Sequence, residues 1–471
     1  MLACYRANLE YNICQDDRIL AHFGTKIALL EETLKSHRLA LELNAENTDI
    51  QFNTGHVLTS LAETEESFAK PLLEEAVDLF TKCLAKQQNE YEQIRSDLLK
   101  AQEEQGDMFQ GEAAAAHTAP STAQDDEMET SSTTSSGPGE WATVEEPLTP
   151  ESILETCTAQ LGALTFLIGC YDTMQLPALE NRIQWGLQTA NSTIPTLISL
   201  VQDSPYPGQE EKPVGPILSI VSSEPSEEAE LTSKYEALIA AANFQGAVAE
   251  YAYRTGQTAS SQYAATITAL FSTFKLDEKS PDAQDAASHL VATHADALLD
   301  LASAIANSPT YDASSPDLET QWGALSQAQT LLTQLLKTPG SAGLTAHRLA
   351  LVFLARGDAD LFRFRLSLFG TAKPAWVNSK NVLVGNAGVF YRGARTYAEK
   401  AGKEELRTMA DAKAIVAEVL KEVATTGGSV VAAKDTWKGK GEAVKQALEE
   451  MVEEGILGRE DGEGVLKIVA A

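Results

Sequence analysis

The sequence predicts an all-α protein, a solenoid of stacked helical hairpins interrupted by acidic insertions, and three observations predict it. Leu and Ala dominate the apolar residues, while strong strand formers are sparse outside residues 382–389 and 430–431, a bias toward helix over sheet. Apolar residues recur at three- and four-residue spacing, as in Ile19, Leu20 and Phe23, then Ile27, Leu29, Leu30 and Leu34, the period of a helix with one buried face. With 471 residues, the chain is long enough for two or three compact domains or for one extended solenoid whose core grows by stacking.

Residues 1–104 supply the first repeats. Ala40, Leu41 and Leu43 close one helix, the Asn and Glu cluster at residues 44–47 breaks it, and Gly55 with Leu58 opens the next. A small residue inside a helix marks a place where two helices approach closely. If Ala21 and Gly55 both fill that slot, they lie 34 residues apart. The following apolar stretch at residues 72–80, with Ala76 at its centre, comes later than a minimal repeat requires, and a lengthened turn at residues 64–71 absorbs the difference.

Residues 105–149 form the first expected insertion, disordered and acidic. From Ala101 to Asn181 there is no Lys or Arg, against fifteen Asp and Glu, and the stretch is rich in Ala, Ser, Thr, Pro and Gly. Such a composition cannot bury enough apolar surface to offset ordering entropy. Residues 150–202 return to a helical pair, starting at Pro150. Residues 203–229 form a second acidic loop, with Pro205, Pro207, Pro213, Pro216 and Pro225 and the single Lys212. Residues 230–424 read as further helical pairs, over residues 234–255 with 259–274, 283–307 with 318–336, and 387–401 with 404–420. Residues 425–471 end in a helix followed by a glycine-punctuated stretch, which fits a terminal cap or a small winged-helix module.

The net charge of −31, from 67 acidic against 36 basic residues, argues against direct nucleic-acid binding, which rests on Lys and Arg at phosphates. A basic polypeptide partner or simple solubility fits it better. Cys4, Cys14, Cys83, Cys157 and Cys170 include no C-x-x-C pair, which suits a reducing compartment, so cytoplasm or nucleus is expected. The start lacks a charged segment followed by an apolar core, and no run approaches the roughly 20 apolar residues that cross a bilayer, so no membrane partner is expected. Because the chain opens inside helical pattern, a capping element upstream of Met1 is expected.

Catalytic and cofactor signatures are wanting. The seven histidines form no H-x-x-x-H or H-E-x-x-H, and no cofactor or metal is expected. His289 and His294 lie on one helix, but a five-residue step turns their rings about 140° apart. No G-x-S-x-G, G-x-G-x-x-G or P-loop occurs, and Gly439 with Lys440 lacks the following Ser or Thr. Paired carboxylates such as Glu74 and Glu75 read as solvated faces. An enzyme is not expected.

The junction at residues 44–47, the helix pair carrying Gly55 and Ala76, and Ala350 through Gly357-Asp358 resemble the tetratricopeptide repeat (TPR) family. That resemblance implies a right-handed superhelix whose concave groove binds peptides or folded clients. An acidic tract between repeats resembles the layout of nuclear TPR-type histone chaperones and of dedicated ribosomal-protein chaperones. Some TPR proteins clamp the C-terminal carboxylate of heat-shock chaperones with Lys, Asn and Arg on successive first helices. Here Asn53 and Arg348 take such positions but lie far apart in sequence, and Arg18 and His22 stand where Lys and Asn would be wanted. Partner contact is therefore expected at Asn53, His56 and Arg348, and at Trp141 in the acidic insertion, where an aromatic grips an apolar patch while carboxylates meet a basic rim. Helix packing for His56 and self-docking for Trp141 are the competing readings. The expected function is a non-enzymatic scaffold or chaperone that shields a basic client such as a ribosomal protein or histone. The alternative is an adaptor or heat-shock co-chaperone that reads a peptide motif without charge shielding.

Overall fold

A computed structural model describes residues 2–15, 24–65, 68–113, 148–202, 232–272, 274, 283–309, 311, 313, 315–337, 344–426 and 437–470. Every regular element among them is helical: α1 (Leu2–Gln15), α2 (Lys26–Leu43), α3 (Thr48–Thr64), α4 (Ala69–Ala113), α5 (Pro150–Gly169), α6 (Glu180–Gln188), α7 (Ile194–Gln202), α8 (Ser233–Arg254), α9 (Ser260–Ser272), α10 (Ala283–Ala306), α11 (Ser315–Leu335), α12 (Ala346–Leu366), α13 (Pro374–Lys400), α14 (Glu404–Thr426), α15 (Gly441–Glu453) and α16 (Arg459–Ala470). The all-α solenoid expected from the sequence is what forms.

Local chemistry sets the breaks. The Asn cluster works as expected, because the Asn47 side chain accepts a hydrogen bond from the Ile50 N–H at 2.9 Å and caps α3. Thr25, Thr149 and Thr345 cap α2, α5 and α12 in the same way, each satisfying a donor the helix leaves orphaned. Helices α6 and α7 run into each other through a π turn at Thr189–Thr193. Pro195 follows that turn; it has no N–H to donate and its ring crowds the preceding turn, which suits a widened turn there.

Alternate helices form two layers. Helices α3, α5, α8, α10, α12 and α14 follow one another along the inner layer, while α9, α11 and α13 lie behind them. Close approach is set by glycine. A Cβ on Gly55 of α3 would sit 2.6 Å from the Phe80 ring of α4, and one on Gly357 of α12 would sit 2.4 Å from the Tyr391 ring of α13. The core is not one body but three neighbouring apolar clusters. The first runs from α1 to α8 around Leu58, Phe80, Leu161 and Phe244. The next, around Tyr263, Leu298 and Leu332, spans α8 to α12. The last, around Phe362, Tyr391, Val416 and Trp437, spans α10 to α16.

Several expectations are corrected. Helix α4 continues to Ala113, so helix occupies the start of the stretch assigned to the first insertion; residues 114–147, including Trp141, lie outside the described residues, as do 203–231. The strand-prone residues 382–389 sit inside α13, where packing against α12 and α14 overrides β propensity. The glycine-punctuated end folds as helix α16 and not as a hairpin. Helix α5 is long and apolar enough by length and composition to cross a membrane, which the sequence reading passed over; here Ile153, Leu154, Cys157, Leu161, Leu164 and Leu167 are buried in the first cluster. The inner helices α8, α10, α12 and α14 begin at Ser233, Ala283, Ala346 and Glu404, intervals longer than the 34-residue TPR period. Ala21, the partner of Gly55 in that count, lies outside the described residues.

Candidate functional site

The inner layer carries a groove, and three helices line it with the same stripe. Residues four, seven and eleven positions along a helix share one face. On α8 that stripe is Asn243, Ala247, Glu250 and Arg254; on α10 it is Asp296, Asp300 and Ser303, continued by Asn307 just past the helix end; on α12 it is Leu351, Ala355, Asp358 and Phe362. The opposite face of α10, with Leu298, Leu301, Ala302 and Ile305, is fully buried, so packing on the outer layer turns Asp296 and Asp300 inward. Cavities of about 340 Å³ between α8 and α10 and about 350 Å³ between α10 and α12 share those two aspartates. The second ends at Glu454 and Ile456, in the turn between α15 and α16.

Electrostatics at this floor is unusual for so acidic a protein. Asp296 and Asp300 are open to water, yet groove walls surround them, and that desolvation raises Asp296 to about 6. Asp300 goes up to about 7, first by desolvation and then by the like charges of Glu250, Asp296 and Glu454. Glu250 is also raised by desolvation although Arg254 stands 3.7 Å away. Glu454 goes up to about 7 by desolvation, against the opposing pull of Lys413. Protein around a carboxylate disfavours its charged form, and a neighbouring carboxylate does so further. Among the described residues no three His, Cys, Asp or Glu side chains converge closely enough to hold a metal ion. The carboxylates are spread along the groove and suit several separate cations, not one.

Lys413 organises the far end. Its ammonium, 1 % exposed, lies 3.2 Å from Asp358, 2.9 Å from Glu450 and 4.0 Å from Glu454. Burial lowers its proton affinity, but those three carboxylates together hold it above the ordinary lysine value. The Tyr391 hydroxyl donates to the same Asp358 at 2.8 Å.

The sequence-selected residues fall in different places. Arg348 lines the groove rim beside His347 and Leu351, and its guanidinium donates to His289 Nε2 at 2.8 Å. His294 instead stacks on Phe271 at 4.7 Å, so the two histidines do point apart. His56 packs edge-on to Phe52 at 4.5 Å and to Phe80 at 5.4 Å, and desolvation lowers its proton affinity. Asn53, half-buried on α3, is not brought together with Arg348: α3 packs among α1, α2, α4 and α5, whereas α12 packs among α10, α11, α13 and α14. Glu250, Asp296, Asp300, Asp358 and Glu454 were not selected from sequence. The signal available was Asp296 with Asp300, a same-face acidic pair in the Ala- and Leu-rich second half of α10.

Fold and groove together define an all-α solenoid of stacked helices with carboxylates along its groove. No protein-family profile and no curated protein matches the chain. Among solved structures it is similar to a "circular tandem repeat protein with novel repeat topology and enhanced subunit contact surfaces", at 11% identity, over 100% of this chain and 93% of that one, with a TM-score of 0.31. A TM-score of that size carries no argument, and the architecture rests on the helices described above.

Proposed function

We propose that this chain is a non-enzymatic protein-binding scaffold that holds a basic polypeptide segment in its inner groove. The observation that carries the reading is the row Glu250, Asp296, Asp300, Asp358 and Glu454 along a groove whose remaining lining is largely apolar. Carboxylates in a partly desolvated groove attract Lys and Arg more strongly than the same groups on an open surface, and complementary charge speeds encounter and sets register. The net charge of −31 adds long-range steering of a cationic partner. A chaperone that shields a ribosomal protein or histone, in cytoplasm or nucleus, is the specific form of this proposal, and the acidic composition of the chain supports it.

Titrating the protein with Lys- and Arg-rich peptides at rising salt tests it. Affinity is expected to fall steeply as the Debye length shortens from about 10 Å to about 3 Å, and Asp296→Asn with Asp300→Asn is expected to weaken binding about tenfold. Salt-insensitive binding, unchanged in that double variant, would overturn the charge-shielding reading in favour of an adaptor. Deleting residues 114–147 separately asks whether the acidic insertion contributes: weaker binding includes it in the mechanism, and unchanged binding assigns the work to the groove.

A further inference from the structure

The C-terminal helical pair is fixed on the solenoid at one particular turn. After α15 the chain reverses at Gly455, whose φ of +72° favours glycine. A Cβ at Gly455 would lie 2.7 Å from the Ala306 side chain at the end of α10. The turn is held from both inner helices: Asn307 donates to the Glu453 carbonyl at 2.6 Å, and the Arg365 guanidinium of α12 donates to the Gly455 carbonyl. Lys413 fixes it from a third direction through Glu450 and Glu454. The consequence is positional. Glu454 and Ile456 line the cavity between α10 and α12 together with Leu299, Leu351 and Leu354. Leu351 is 44% exposed there, a large apolar side chain facing a cavity.

From this arrangement we infer that the C-terminal pair is a wall of the binding groove and not only a cap, and that the pocket it completes takes one apolar side chain of the partner flanked by Lys or Arg. The inference rests on the groove reading above and narrows it to a basic–apolar–basic segment. The apolar side chain sits against Leu299, Leu351 and Leu354, while the flanking cations meet Asp296 and Asp300 on one side and Asp358 and Glu454 on the other. Charge complementarity selects the basic flanks, and the apolar lining selects what lies between them. A turn tied by Asn307, Arg365 and Lys413 needs little reordering on binding, which spares the partner that entropic cost.

Two synthetic peptides separate the outcomes, Ala-Lys-Lys-Leu-Lys-Lys-Ala and the same peptide with Ser at its centre, measured by calorimetry against the full chain. The Leu peptide is expected to bind more tightly. Glu454→Gln, which keeps the side-chain shape, is expected to weaken it about three- to tenfold. Leu351→Ser, at an exposed position that leaves the core untouched, is expected to weaken the Leu peptide but not the Ser peptide, a coupling of ordinary size for contacting groups. Asp296→Asn is expected to weaken both. If Asp296→Asn weakens binding while Glu454→Gln and Leu351→Ser do not, the end-wall inference falls and the groove reading stands. If neither peptide binds, or no groove variant changes the affinity, the groove reading itself falls and takes the inference with it. Circular dichroism melts of each variant identify any loss that comes from unfolding.

Discussion

Gly357 shows how much one missing methyl group decides here. Any side chain at that position would meet the Tyr391 ring at 2.4 Å, and Tyr391 is fully buried with its hydroxyl committed to Asp358. The ring has nowhere to retreat, so Gly357→Ala is expected to destabilise the chain by about 1–3 kcal/mol through overpacking. Gly385, on the same kind of helix but with only the end of Lys421 nearby at 3.9 Å, is the control: alanine there is expected to be neutral or to stabilise by up to about 1 kcal/mol. Urea midpoints of the two variants check the pair. Gly55 was legible in the sequence as a close-approach position because it interrupts a helical apolar pattern. The Phe80 that fills the space was not, since nothing local links the two.

At the scale of elements, the C-terminal pair depends on a buried cation. Lys413 contacts carboxylates from α12 and from the α15 end, and Lys440 and Arg395 reach Asp411 on the other flank of α14 at 2.5 Å and 2.7 Å. Lys413→Met leaves Asp358 and Glu454 without their buried partner and is expected to cost about 3–5 kcal/mol. The loss shrinks as pH falls below 7, where the Glu454 carboxyl, raised to about 7, is already neutral. Denaturation of wild type and variant at pH 8 and pH 5.5 reads both effects, and a pH-independent loss would contradict the charge argument. Element boundaries were largely legible: α8 and α10 fall within a residue of the expected spans, because caps and apolar period coincide there. What was hidden had physical reasons. The acidic shift after Lys100 masked a run of Gln, Glu, Met and Phe that continues α4. The glycines at residues 458, 462 and 464 fitted a winged-helix end, although Gly458 lies just before α16 and packing of Val465 and Val469 on the last cluster holds Gly462 and Gly464 inside it.

For the whole molecule, the groove and stability are in opposition. Groups whose carboxyl pKa is raised by folding bind protons that the unfolded chain has already lost, so ionised Asp296 and Asp300 destabilise the fold fully above pH 7; that penalty shrinks as pH falls through the folded values of about 7 and about 6 and is gone only below the ordinary aspartate value of 3.8. The double variant Asp296→Asn with Asp300→Asn is therefore expected to be more stable than wild type at pH 8, by a margin that narrows toward pH 5 and closes only below about pH 4. Comparing the two proteins cancels the opposite contribution of the desolvated His37, His56 and His294. Binding a cationic peptide reverses the desolvation effect and is expected to release protons near pH 6.5, which calorimetry in buffers of different ionisation heat detects. A double variant that gains no stability at pH 8 would show these carboxylates to be ordinary surface charges. The groove as a whole was not legible as a site, although Arg348 on its rim was selected and Asp296 with Asp300 formed a visible same-face pair. Its stripes come from α8, α10 and α12, far apart in the chain; those of α8 and α10 each read as the polar face of an amphipathic helix, and that of α12, with Leu351, Ala355 and Phe362, reads as an apolar one.

The division of the core into three clusters has a mechanical consequence for a protein with this groove. Ile168, Ile267 and Phe362 belong to different clusters and all face the same channel. In a stacked protein, neighbouring blocks open with partial independence, and each is stabilised only by what touches it. A segment lying along the channel acts as a tie beam, joining blocks that otherwise share only their edges, and it adds its binding energy to all of them at once. The empty chain is expected to melt in stages and the occupied chain in one step. In that case the protein would sense its cargo as rigidity, shared among helices that lie far apart in the chain.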